Sequence, residues 1–151
     1  MIYIASDHRG FALKEKIKEF LNEAKFEFED CGNLVYDKDD DLPDFVSKAA
    51  ERVSQNPEKD KGIVICGTGI GASIISNKFK NVRAGLCMNV LVAKQSREHL
   101  DANVLCLAAD ITEPSTAWII VKEWLNTEVI EKDRYLNRLK KIEDIENNNF
   151  K

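Results

Sequence analysis

Short apolar runs alternate along this chain with longer segments in which apolar residues recur every three or four positions. Residues 2–5 form the first run, apolar positions at helical spacing follow between residues 13 and 24, and Phe26 and Phe28 then alternate with polar residues. Continuous apolar runs are typical of buried strands, and the three- to four-residue spacing is typical of amphipathic helices. The opening therefore predicts a strand, a helix and a second strand.

The same alternation continues toward the C-terminus. It predicts strands at residues 62–66, 83–88 and 103–108, helices at residues 43–53, 70–79, 90–99 and 112–125, and a last helical pattern between residues 136 and 145. Five mostly apolar strands interleaved with helices are typical of a parallel sheet that is covered on both faces. We therefore expect an α/β fold, Rossmann-like, with three α/β/α layers around a five-stranded parallel sheet.

Composition limits the size of the fold and the kinds of partner. The 151 residues, 44% of them hydrophobic, suffice for a single domain spanning residues 1–151, and such a domain buries about 68–70% of its unfolded surface. A net charge of −4 without any basic block argues against nucleic acid as a partner. No apolar run approaches the roughly 20 residues that cross a bilayer, and no charged region precedes the first run. We expect a cytoplasmic protein without a membrane partner.

The four cysteines are scattered, with no C-x-x-C pair and no cluster with histidine. This spacing predicts free thiols, with neither a zinc site nor a disulfide framework. Cysteines in apolar runs usually behave as small core residues. Cys66 differs because it ends an apolar run just before a glycine-rich segment.

The glycine-rich segment alternates Gly67, Gly69 and Gly71 directly after Cys66. Glycines permit backbone angles that turn successive N–H groups toward one negative oxygen, and a helix starting near Ile70 adds its N-terminal dipole. The spacing matches neither G-x-G-x-x-G nor a P-loop, so no nucleotide fingerprint is met. Two interpretations stay open: an anion-binding loop beside a reactive thiol, or a tight turn with a buried cysteine.

Ligands of parallel sheets bind beyond the carboxyl ends of the strands. This rule places Asp7 and His8, which follow the first strand, in one crevice with residues 66–71. An adjacent acid and imidazole can hold a polar ligand or share a proton, although Asp7 is equally suited to cap a helix. The acidic residues 37–41 are predicted to be solvated surface.

Three further residues are candidates on weaker grounds. His99, the second of two histidines, ends a predicted helix and is expected on the same ligand side, with an exposed surface histidine as the alternative. Arg134 and Arg138 lie one helical turn apart and could grip a phosphate with forked hydrogen bonds. A solvent-exposed charged helix face is the alternative for the arginines.

Short motifs recur in one order along nearly the whole chain. They are residues 5–10 (ASDHRG), 65–71 (ICGTGIG), 77–78 (NK), 83–84 (RA), 96–99 (SREH), 101–104 (DANV) and the pair Arg134 and Arg138. Together these motifs resemble those of the B-type ribose-5-phosphate isomerases and the related galactose-6-phosphate isomerase subunits. Several motifs in register make this resemblance far more specific than the glycine loop alone.

The resemblance implies that the protein interconverts D-ribose 5-phosphate and D-ribulose 5-phosphate through a cis-enediolate, without metal, nucleotide or other cofactor. It gives Cys66 the removal of the proton next to the carbonyl, Thr68 the orientation of substrate or a proton transfer, and His99 the opening of the sugar ring. The residues that the resemblance assigns to substrate binding are Asp7 for the hydroxyls, the amides of Gly67, Gly69 and Gly71 for the enediolate oxygen, and His8, Arg134 and Arg138 for the phosphate.

The resemblance also implies an assembly. Family members are dimers with the active site at the subunit interface, so we expect a homodimer, or a dimer of such dimers, with a C-terminal helix that extends to the partner. In that arrangement His99 serves the partner subunit's Cys66.

Three single positions and one four-residue segment depart from the family pattern. Leu42 replaces an aromatic residue near the sugar, Leu100 replaces an amide, Asp110 replaces an arginine that often binds phosphate, and residues 132–135 (KDRY) replace Gly-Gly-Arg-His. These changes leave the proton-transfer residues intact and alter the residues that hold the substrate. An allose or galactose 6-phosphate isomerase, a non-catalytic sugar-phosphate-binding paralogue and a subunit of a heteromer therefore remain as alternatives.

Overall fold

The computed structural model describes residues 1–150, and Lys151, the last residue of the expected domain, lies outside the described residues. In chain order the elements are β1 (Ile2–Ser6), α1 (Phe11–Glu23), β2 (Phe28–Asp30), α2 (Pro43–Gln55), β3 (Lys61–Cys66), α3 (Ile70–Ser76), β4 (Ala84–Leu86), α4 (Val90–Leu100), β5 (Val104–Ala108), α5 (Pro114–Asn126) and α6 (Asp133–Asn149).

The five strands form one parallel sheet in the order β2-β1-β3-β5-β4. The predicted five-stranded parallel α/β fold is thus confirmed. β2 and β3 are the two neighbours of β1 in the sheet. The chain passes from β1 to its neighbour on one side, β2, and then returns past β1 to its neighbour on the other side, β3. Connections that leave in opposite directions open a crevice at the carboxyl ends of β1 and β3, where ligands of such sheets bind.

Alternation along β3 divides the core between the two faces of the sheet. Ile63 and Ile65 point to the face covered by α1 and α5, whereas Val64 and Cys66 point to the face covered by α2 and α3. Side chains two residues apart share a face because successive residues of a strand point to opposite sides. The thiol of Cys66 therefore emerges at the end of the sheet on the α2 and α3 side.

Some elements are shorter than predicted. β4 covers only Ala84–Leu86. Before this strand a side-chain hydrogen bond takes the place of strand pairing, because the amide of Arg83 donates to Asn103 Oδ1 at 2.8 Å. α3 ends at Ser76, and Phe79 lies in the turn that follows. Within residues 1–150, no helix combines the length and the apolar character needed to cross a membrane.

A buried lysine fixes the segment that follows β2. Lys14 on α1 is fully buried, and its ammonium donates to both carboxylate oxygens of Asp30, at 2.8 and 2.6 Å, and to the carbonyl oxygen of Asn33 at 2.6 Å. A buried charge needs such partners because its desolvation is otherwise very costly. The lysine thereby holds Asn33 where the chain passes the carboxyl edge of the sheet.

Candidate active site

Cys66 lies at the mouth of the glycine loop and is held there by the backbone. Its side chain is buried, and the amide of Gly69 donates to its sulfur at 3.2 Å. The loop is fixed to the end of β5, because the amide of Ala109 donates to the carbonyl of Cys66 and the amide of Asp110 donates to the carbonyl of Gly67, both at 2.9 Å. The thiol and the loop amides therefore form one rigid unit.

The three loop glycines are required for different reasons. Gly69 has a φ of 74°, the left-handed region that favours glycine. For Gly67 and Gly71 the expectation of special backbone angles is wrong, because among residues 1–150 the positive-φ glycines are Gly32 and Gly69. Space is the reason instead: a side chain at Gly67 would overlap the guanidinium of Arg9, and a Cβ at Gly71 would lie 2.8 Å from Leu42 Cδ2.

Asp7 lies beside Cys66 in the crevice. The register pairs Ser6 with Ile65, so the next residues along the two neighbouring strands are Asp7 and Cys66. Asp7 is buried, and its Oδ1 accepts a hydrogen bond from the amide of Gly10 at 3.0 Å. Oδ1 therefore caps the turn into α1, as the alternative interpretation of Asp7 predicted, and Oδ2 is left for other partners. Thr68, two residues after Cys66, is exposed at the rim.

His8 is held by an aspartate that the sequence did not single out. Asp40 Oδ1 accepts hydrogen bonds from the His8 amide at 2.9 Å and from its ring Nδ1 at 2.6 Å, and Oδ2 accepts from Asn33 Nδ2 at 2.8 Å. The side chain of Asp40 is only 3% exposed, so the prediction of solvated surface for residues 37–41 is wrong at this position. The hydrogen bond to Asp40 raises the pKa of His8 above its usual value.

Replacing Asp40 with asparagine is expected to lower the pKa of His8. The carboxylate favours the charged imidazole, so the pKa of His8 is raised in the wild type. The stabilising effect of the pair is therefore present at lower pH and is lost as the pH rises through that raised pKa. In Asp40→Asn that loss begins at lower pH. NMR titration of labelled histidine measures the change, and His99 is the internal control in the same spectra. An unchanged His8 midpoint would show that Asp40 does not set its charge.

Arg9 is a second residue of this edge that the sequence did not single out. Its guanidinium lies on Gly67 and pairs with the carboxylate of Asp110. Asp110, which stands where the family often has a phosphate-binding arginine, thus has a cation beside it. Its partner is 101 positions away in sequence, which is why local pattern analysis does not find the pair.

His99 lies at the opposite edge of the sheet, so the prediction that both histidines face the carboxyl side within one chain is wrong. α4 runs back from the end of β4 toward the start of β5, and Val104 at that start pairs in register with Gly62, four residues before Cys66. Strands rise by about 3.3 Å per residue, so the two edges are on the order of 15 Å apart.

His99, Arg134 and Arg138 instead belong to a second cluster. The His99 ring stacks on Tyr135, with centroids 4.5 Å apart and planes 18° from parallel. The Arg138 guanidinium lies 5.6 Å from the same tyrosine ring, and Arg134 is exposed one turn before it on α6. Tyr135, one of the departures from the family pattern, is therefore the contact that joins α6 to His99.

α6 lies loosely against the amino edge of the sheet. None of its residues, Asp133–Asn149, all within the described part of the chain, is buried. Glu146 Oε1 accepts a hydrogen bond from the amide of Asn81 at 2.6 Å, and a cavity of about 420 Å³ separates α6 from the segments that precede β3, β4 and β5. The helix thus keeps an apolar face with little cover in one chain.

Comparison with known proteins identifies a single family. The Ribose/Galactose Isomerase family matches residues 2–142. Ribose-5-phosphate isomerase B of Escherichia coli (strain K12) is 38% identical over 145 residues, covering 96% of this chain and 95% of that protein.

Two solved structures have the same fold over nearly their whole length. The crystal structure of ribose-5-phosphate isomerase B from Mycoplasma genitalium with bound ribulose-5-phosphate is 40% identical, with a TM-score of 0.92 over 97% of this chain and 95% of that chain. Ribose-5-phosphate isomerase B of Clostridium thermocellum is 43% identical, with a TM-score of 0.90 over 97% of both chains.

Proposed function

Because this chain belongs to the ribose/galactose isomerase family, we propose that it interconverts D-ribose 5-phosphate and D-ribulose 5-phosphate with Cys66 as the base. The observation that carries the proposal is the Cys66 sulfur in hydrogen-bond contact with the amide of Gly69, beside a buried carboxylate, Asp7. A base, an array of amide donors and a group for sugar hydroxyls are what an enediolate reaction requires.

In the proposed reaction the Cys66 thiolate removes the proton from C2 of the open-chain aldose. The electrons of the C–H bond form the enediol double bond, and the former carbonyl oxygen on C1 takes the negative charge. Thr68 orients the two oxygens while a proton passes from O2 to O1, and the Cys66 thiol then returns its proton to C1. Loop amides that donate to the developing oxyanion are typically worth about 3–4 kcal/mol each.

Binding roles follow from the positions of the side chains. Asp7 has one oxygen on the Gly10 amide and offers the other to a sugar hydroxyl. His8 is half-buried, and its hydrogen bond to Asp40 raises its pKa and so favours the charged imidazole, which suits a phosphate ligand. These assignments place the sugar along the carboxyl ends of β1 and β3.

The remaining assigned residues support a homodimer. His99, Arg134 and Arg138 lie at the amino edge of their own chain, too far to reach Cys66 there. A second copy would bring its amino edge to the Cys66 crevice and complete two equal sites, as two-fold symmetry requires. Exposed apolar side chains near the crevice, namely Ile70, Ile74, Met88 and Leu91, offer a surface for that copy.

The test is an NMR assay of the purified protein with D-ribose 5-phosphate in deuterated water. We expect ribulose 5-phosphate to form with deuterium at C1, because a base that exchanges with solvent delivers a solvent-derived hydron to that carbon. Allose 6-phosphate and galactose 6-phosphate are run in parallel. Conversion of a hexose phosphate alone would replace the proposed substrate, and no conversion or exchange with any of the three would overturn the proposed function.

A further inference from the structure

We propose that Arg9 and Asp110 act as one substrate-binding pair, in which Arg9 binds the phosphate of the sugar and Asp110 positions the guanidinium. This inference rests on the proposed function and adds Arg9, to which the resemblance assigns no role, together with Asp110, which stands where the family often has an arginine. Arg9 follows His8 at the end of β1, and Asp110 follows β5, so the pair spans the crevice from both sides of β3.

Backbone contacts fix both members of the pair on the same glycine. The amide of Asp110 donates to the carbonyl of Gly67 at 2.9 Å, and the Arg9 guanidinium lies where a side chain of residue 67 would be. The missing side chain at Gly67 therefore leaves the space that the guanidinium fills. Arg9 is thereby placed beside Cys66 and the loop amides.

The guanidinium remains available to a ligand. Asp110 accepts from Nη2, and among residues 1–150 no other acceptor is hydrogen-bonded to Arg9. Five N–H groups in a planar fork leave Nε and Nη1 free for phosphate oxygens. The Arg9 side chain is 51% exposed and that of Asp110 43%, so the pair faces solvent at the rim of the crevice.

Neighbouring charges favour a dianion at this point. The positive charge of Arg9 opposes that of His8 and acts to lower the pKa of His8, so the two cations lie within electrostatic reach of each other. A phosphate that contacts both groups relieves their mutual repulsion. Within one chain, a phosphate beside His8 but without Arg9 would meet the carboxylates of Asp7 and Asp40, and the arginines of α6 would have to come from a second copy.

Asp110 consequently has two opposing effects, and Arg9 decides which one prevails. With Arg9 in place the carboxylate is paired and orients the fork. Without Arg9 it is an unpaired anion at the phosphate site, where it repels the like charge of the phosphate. The pair therefore predicts a specific interaction between substitutions at the two positions.

Steady-state kinetics with ribose 5-phosphate on the intact protein test this. Arg9→Ala should raise KM by about 10- to 100-fold and change kcat by less than about threefold, because a charge-assisted hydrogen bond to a group remote from the reacting carbons is lost. The double variant that carries Asp110→Asn as well as Arg9→Ala should have a KM about 3- to 10-fold lower than that of Arg9→Ala, since the unpaired anion is removed. Asp110→Asn alone should raise KM by less than about fivefold, since the amide oxygen still accepts from the guanidinium.

A second measurement does not depend on turnover. Titration with inorganic phosphate, followed by NMR of the His8 ring, should give a dissociation constant about tenfold weaker in Arg9→Ala than in the wild type. Arg52→Ala is the matched control, because Arg52 is also half-exposed and paired with a carboxylate, Glu29, away from the crevice. That variant should match the wild type in both measurements.

The outcomes separate this inference from the proposed function. If the wild type is inactive but Arg9→Ala still binds phosphate more weakly than the wild type, the proposed reaction is overturned and the phosphate site is supported. An active wild type with unchanged KM and phosphate affinity in Arg9→Ala would overturn the phosphate role alone. A loss confined to kcat would overturn the phosphate role and assign Arg9 to the reacting end of the sugar. No recovery in the double variant would show that Asp110 does not face the bound phosphate and would overturn its part in the pair.

Discussion

Replacing Cys66 with alanine is expected to lower kcat for ribose 5-phosphate by about 1,000-fold and to leave the substrate's dissociation constant within about threefold of wild type. The expected loss is specific to catalysis because the thiol is the proposed base, whereas Asp7, His8 and the loop amides are the proposed binding groups for the sugar phosphate. NMR turnover measures kcat, and calorimetric titration of the same variant measures binding. Retained turnover would remove Cys66 as the base.

Cys31→Ala is the matched control. Cys31 follows β2, and burial, together with the nearby carboxylates of Glu29 and Asp30, raises the pKa of its thiol to about 11. At neutral pH it is therefore a neutral thiol that cannot replace the base. Cys31→Ala should keep full activity, and a comparable loss there would indicate a general structural effect of removing a thiol.

Mixing two inactive variants is expected to restore activity if the site is divided between subunits. His99→Ala should lower kcat by about 100-fold, because ring opening loses its general acid or base. In a mixed dimer of Cys66→Ala and His99→Ala chains, one site takes Cys66 from one chain and His99 from the other and is intact. Random reassembly of equal amounts makes half the dimers mixed, so about a quarter of wild-type activity should return.

The control for mixing is a pair of variants that damage the same residue. Cys66→Ala refolded with Cys66→Ser should gain nothing, because neither type of mixed site has the thiol. If Cys66→Ala and His99→Ala also gain nothing while native mass spectrometry shows mixed dimers, His99 does not complete the partner's site. That result would contradict the division of the site between subunits.

The fold was predictable from the sequence because its determinants are local. Uninterrupted apolar runs identify β1, β3 and β5, which are fully or almost fully buried, and helical spacing identifies the helices that cover them. Cys66 and its loop were also predictable, since they are consecutive in sequence. The short edge strand β4 was overestimated, because apolar residues continue beyond the point where its ladder ends.

The missed residues depend on long-range pairing. His8 and Asp40 are 32 positions apart, and Arg9 and Asp110 are 101 apart, so no local pattern links them. Asp40 and Arg9, the two members that were missed, each resemble an ordinary surface charge when taken alone. The location of His99 was mispredicted for a different reason, although the sequence does contain the information that places it. A helix between parallel strands runs antiparallel to them, so its last residue lies at the amino edge of the sheet.

A sugar phosphate held between the crevice of one chain and α6 of another would act as a cross-link. α6 buries none of its described residues in its own chain, so in the proposed dimer its arginines would gain partners through assembly. By linkage, whatever factor dimerisation adds to substrate affinity, substrate adds to the affinity of one chain for the other. The oligomer would then be most cohesive when its metabolite is abundant and would loosen as the metabolite is depleted.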